Sequence, residues 1–110
     1  MSEDFSKGEI SKPLGLVSFD NGFHFKMESG SYTGMTAVSL VDFLEKLKVV
    51  DVNSILFHYP RGDFQKWIEN TLGEKELANR LCFIKTGLSG EKLRKQLLKI
   101  VKKRVDEIRG

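Results

Sequence analysis

At 110 residues, with 40% hydrophobic and 30% charged residues, the chain is long enough to bury roughly 65% of its unfolded surface in one core without metal or disulfide. One cysteine excludes an internal disulfide framework, and no apolar run approaches the ~20 residues of a membrane span. The net charge of +3 is unevenly spread: residues 1–82 carry nine cations and twelve anions, residues 83–110 nine cations and three anions. That asymmetry is the main partner signal, because a clustered positive field attracts phosphates or acidic surfaces.

Residues 1–13 read as a flexible lead-in, polar and without a signal-peptide core, and residues 14–110 as one globular domain in a cytoplasmic protein. Leu14–Phe19 and Phe23–Met27 flank Asp20-Asn21-Gly22, and Asn-Gly between short apolar runs predicts a β-hairpin turn. Phe23, Phe25 and Met27 alternate with His24, Lys26 and Glu28, as in a strand with one covered face. Ser29–Gly34 lacks the lysine and spacing of a phosphate loop and reads as a turn, leading into a further short strand around Met35-Thr36-Ala37.

Ser39 with Asp42 forms a capping pair ahead of Leu40, Phe43, Leu44 and Leu47 at helical spacing. Asp51 caps a second helix that offers Ile55, Leu56 and Tyr59 for burial. Pro60-Arg61-Gly62 breaks the chain, Asp63 is placed to cap a third helix with Phe64, Trp67, Ile68, Thr71 and Leu72 on one face, and Gly73 supplies a left-handed stop. Leu77, Ala78, Leu81 and Ile84 form the next stripe, with Cys82 read as buried and inert. A long basic C-terminal helix from Glu91 to Arg109 repeats Leu93, Leu97, Ile100/Val101, Val105 and Ile108. The fold class is α+β, mostly α: an N-terminal hairpin on four to five helices, with Trp67, Phe64, Phe57, Phe43 and the leucine stripe in one core.

Chemistry-bearing patterns are sparse. His24 and His58 lack metal-ligand spacing, and no serine lies in a nucleophile elbow. Glu69, Glu74 and Glu76 read as solvated helix-face charges, and Arg61-Gly62-Asp63 as a turn and cap rather than an adhesion ligand. No catalytic residue, cofactor site or metal site is assigned. An enzyme would be marked by a deep pocket where two or more of His24, His58, Arg61 and Asp63 converge. His58, Asp63, Phe64 and Trp67 are the structural hub, and Trp67 needs an acceptor for its indole N–H.

The function expected is a non-enzymatic binding or protein-interaction module. Its candidate contacts are Lys92, Arg94, Lys95, Lys99, Lys102, Lys103 and Arg104, facing nucleic acid or an acidic protein. Five phosphate contacts would give a log–log salt slope of about −4 to −5. The alternative weights are a nucleic-acid-binding protein using this helix, a homodimer paired through its apolar stripe, and a merely solvated lysine face.

The order Phe57-His58, then Asp63-Phe64-x-x-Trp67, then Leu72-Gly73-x-x-x-Leu77-Ala78, between an aromatic hairpin and a Leu-rich charged helix, resembles a small domain family of unknown function found mainly in archaea and some bacteria. The resemblance covers about residues 22–109. It implies a helical domain and carries no activity or site residues.

Overall fold

The computed structural model describes residues 14–110; the sequence-expected lead-in over 1–13 lies outside them. Two antiparallel strands, β1 (Phe23–Lys26) and β2 (Tyr32–Ala37), are followed by α1 (Leu40–Val49), α2 (Val52–His58), α3 (Asp63–Asn70), α4 (Lys75–Leu81) and α5 (Gly90–Arg109). This is the α+β, mostly helical class expected, with five helices among the described residues.

The hairpin sits one step further along the chain than its Asn-Gly signal predicts. Residues Phe19–Asn21 form a 3-10 turn instead, and β1 pairs with β2 across a connection closed by Met27 N–H to Ser31 O at 2.9 Å. A type I′ turn would need positive φ at both central residues, but Gly22 has φ −73. The turn is closed by the Asn21 and Gly22 N–H groups donating to the Ser18 and Phe19 carbonyls, both at 3.0 Å, and the Asn21 carbonyl accepts from the Trp67 indole N–H at 2.8 Å. Gly22 is required for closeness, since a Cβ there would lie 2.6 Å from Thr36 Cγ2 and 2.7 Å from the Ala37 carbonyl.

In β1, Phe23 and Phe25 face inward while His24 and Lys26 face outward. The Phe23 ring lies 4.8–5.9 Å from the rings of Phe25, Phe43, His58, Phe64 and Trp67, within the range of favourable tilted aromatic contacts. Around this cluster Leu40, Leu47, Ile55, Ile68, Leu72, Leu77, Leu81 and Leu97 are buried. Phe57 was expected in this core but is half-buried at its edge, where its ring carries Arg61. Leu56 is 39% exposed rather than buried.

The helix signals act largely as read. Ser39 Oγ accepts from Asp42 N–H at 3.0 Å, and Asp42 reaches back to the Val38 N–H at 3.0 Å. Asp51 accepts from Asn53 N–H at 2.8 Å, and Gly73 takes φ 69. Asp63 is the exception. The N-cap of α3 is Gly62 at φ 75, without a side-chain cap bond, because the Asp63 carboxylate is turned toward His58 and Arg61. Cys82 is exposed, not buried, since the chain leaves α4 at that point and only Leu81 and Ile84 turn inward.

Candidate binding surfaces

The first surface surrounds the Arg61-Gly62-Asp63 turn. Lys26 is the last residue of β1, and its edge not paired with β2 is capped by α2: Ser54 Oγ donates to the Lys26 carbonyl at 2.7 Å, and the Lys26 N–H donates to His58 Nε2 at 2.8 Å. His58 Nδ1 lies 2.8 Å from Asp63 Oδ2. A backbone N–H only donates and an ionised carboxylate only accepts, so the two partners set the tautomer: Nδ1 carries the proton and Nε2 presents its lone pair. His58 is thus buried, neutral and saturated. Desolvation by burial lowers its pKa from 6.5, against the opposing pull of the Asp63 hydrogen bond and charge. For Asp63, burial alone would raise the pKa, but hydrogen bonds from His58 and Arg61 hold it below 3.8.

Arg61 is held at two points. Its Nε donates to Asp63 Oδ2 at 2.9 Å, and its guanidinium carbon lies 4.7 Å from the centre of the Phe57 ring. Its two Nη groups have no protein acceptor among the described residues. His24, Lys26, His58, Arg61 and Asp63 line one open hollow of about 390 Å³. The convergence named above as the mark of an enzyme is therefore partly met. Of the hollow's two imidazoles, His58 has both nitrogens engaged and no lone pair with which to take a substrate proton, while His24 is held at Nδ1 by Thr36 Oγ1. Among the described residues, no group of three or more His, Cys, Asp or Glu is gathered to hold a metal.

The second surface is α5. At 3.6 residues per turn, Lys92, Lys95, Lys99, Lys102 and Lys103 fall within about 100° of one another, and all are exposed. Arg94 and Arg104 lie on the opposite side and are engaged inside the fold. Arg94 Nη1 donates to the Leu47 and Val50 carbonyls, both at 2.8 Å, closing the C-terminus of α1. Arg104 makes a two-pronged pair with Glu74, at 2.6 and 3.0 Å, and these bonds raise its pKa so that it stays charged. Glu74 is buried, not solvated: it also caps α4 through the Leu77 N–H. Glu69 and Glu76 are exposed, and Glu76 pairs with Arg80 at 2.8 Å. Of the outward lysines, Lys102 reaches Asp106 at 2.9 Å, while no such partner is found among the described residues for the other four. Leu93, Leu97, Val101 and Val105 are buried in the domain's own core, so pairing two copies through that stripe would require opening it. No helix among the described residues is long and apolar enough to cross a membrane.

A hairpin clasped on a five-helix core, with an Asp-Phe-x-x-Trp helix at its centre, defines a small α+β domain. The chain belongs to the family of unknown function DUF5752, whose model matches residues 20–110. Searches of the curated proteins and of the solved structures find no match.

Sequence reasoning missed Lys26, Phe19 and the buried role of Glu74, and it named Arg61 without its neighbour Lys26. Lys26 and Arg61 are ordinary surface cations in sequence, brought together only by folding. Phe19 reads as a strand residue yet is 58% exposed on the 3-10 turn. Glu74 carried one usable signal, its position directly after a helix-stop glycine and three residues before Leu77, which is N-cap spacing.

Proposed function

We propose that this domain is a non-enzymatic binding module that meets a nucleic acid through the outward lysines of α5. The observation that supports this reading is the division of the seven cations from Lys92 to Arg104. Two arginines serve the fold, and five lysines form a continuous outward stripe whose ends, Lys92 and Lys103, are about 16 Å apart along the axis. A stripe of that length covers two to three spacings of roughly 6–7 Å between successive phosphates, and so three to four phosphates of one strand. The saturated state of His58 favours binding over catalysis. An acidic protein surface is the competing partner, separated by the same measurement.

The test is a titration with duplex DNA, with RNA and with an acidic polypeptide, at low and at physiological salt. The expected result is nucleic-acid binding that weakens with a log–log slope near −3 to −4, as about four lysine contacts release counterions. Absence of nucleic-acid binding at low salt removes this reading.

A further inference from the structure

The outer face of the hairpin carries features that α5 does not explain. Phe19 and Tyr32 are 58% and 48% exposed, and their rings stand 5.1 and 6.1 Å from the ring of His24, which lies between them. A chain of hydrogen bonds, Tyr32 Oη to Thr36 Oγ1 at 2.6 Å and Thr36 Oγ1 to His24 Nδ1 at 2.8 Å, fixes Tyr32 and His24 in place. Tyr32 and His24 are therefore held in place, with the Phe19 and Tyr32 rings exposed and the His24 ring half-buried. His24 and Lys26 share the outward face of β1, and Arg61, held by Asp63 and Phe57, lines the same hollow as both. Aromatic faces set beside two positioned cations are the elements of a stacking platform for unpaired bases with their phosphates.

We propose that this face binds single-stranded nucleic acid, bases stacking on the exposed rings of Phe19 and Tyr32, which are inclined to the His24 ring by 59° and 77° and so offer separate faces, with an adjoining phosphate meeting Arg61 and Lys26. The hollow beside the row, about 390 Å³ with two cations against the one carboxylate of Asp63, has the size and sign for a sugar-phosphate. It is open, whereas sites for free small molecules bury about 70–90% of the ligand. A strand that adds contacts beyond the hollow suits it better than a free mononucleotide. A duplex is excluded from the row because its bases are already stacked on each other. The site does not depend on α5.

The test is anisotropy of a labelled RNA hexamer, beside the same strand with abasic positions and beside a duplex. The expected result is preference for the base-bearing strand, with Phe19→Ala and Tyr32→Leu each lowering its affinity by about tenfold, in line with the loss of one stacking contact. Tyr32→Phe, which keeps the ring, retains that affinity. Arg61→Gln lowers affinity for the base-bearing and abasic strands alike. Equal affinity for abasic and base-bearing strands, unchanged binding by Phe19→Ala and Tyr32→Leu, or no binding of the hexamer overturns the proposal. Lysine substitutions on α5 lower affinity for the duplex and leave the preference for the base-bearing over the abasic strand unchanged, so failure of the α5 reading and failure of this one give different patterns.

Discussion

At the scale of single residues, His58 organises the join between hairpin and helices. Its ring joins Lys26 of β1 to Asp63 of α3, and its truncation would leave a buried N–H and a carboxylate short of partners. His58→Ala is expected to cost about 3 kcal/mol, the sum of two hydrogen bonds and a packed ring, read from urea unfolding. The same ring sets a pH dependence. Because burial lowers its folded pKa below the unfolded 6.5, the unfolded state binds the extra proton first, so the contribution is complete above pH 6.5 and is lost as pH falls through the folded value. Protonation also places an N–H against the Lys26 N–H. Asp63 acts in the same direction further down: its folded pKa lies below 3.8, so its contribution is lost only in stronger acid. Stability should fall in two stages on acidification, and any folded His58 variant should lack the first. A wild-type curve flat between pH 6.5 and 4.5 would contradict this assignment.

At the scale of elements, two ties that were not visible in the sequence hold α5 and the hairpin in place. Glu74 and Arg104 are far apart in the chain and each resembles a surface charge, yet they form a largely buried pair between the start of α4 and the middle of α5. Arg104→Ala strands a buried carboxylate and is expected to cost about 3 kcal/mol, whereas the double change with Glu74→Ala should cost less than the two single changes summed. A denaturation double-mutant cycle measures this. Gly22→Ala is expected to destabilise by about 1–3 kcal/mol, because the added methyl meets the Ala37 carbonyl, part of the backbone, at 2.7 Å. The helices themselves were legible: apolar spacing, the Ser39 and Asp51 caps and the Gly73 stop all act where local chemistry places them. What was not legible depended on contacts distant in sequence. The Asn21 carbonyl found its partner in Trp67, 46 residues away, and Asp63 turned toward His58 rather than capping its helix. The candidate hollow is of the same kind, since Lys26 and Arg61 meet only when β1 lies on α2.

At the scale of the whole molecule, charge is sorted by function. On α5, Arg94 and Arg104 face inward to close α1 and to pair with Glu74, and the lysines face outward. Arginine suits the inner role because its planar fork makes several directed bonds at once, while lysine remains a hydrated point charge. Arg94→Gln should therefore lower stability, and Lys99→Gln should not. The most direct test of the binding account compares the salt dependence of duplex DNA binding by the wild type and by the combined variant Lys92→Gln, Lys95→Gln, Lys99→Gln, Lys103→Gln, each confirmed folded by its unfolding midpoint. The account predicts that the variant keeps its stability and loses most of the salt slope, from about −3.5 toward zero. An unchanged slope and affinity in the variant would show that the lysines of α5 serve only as a solvated face.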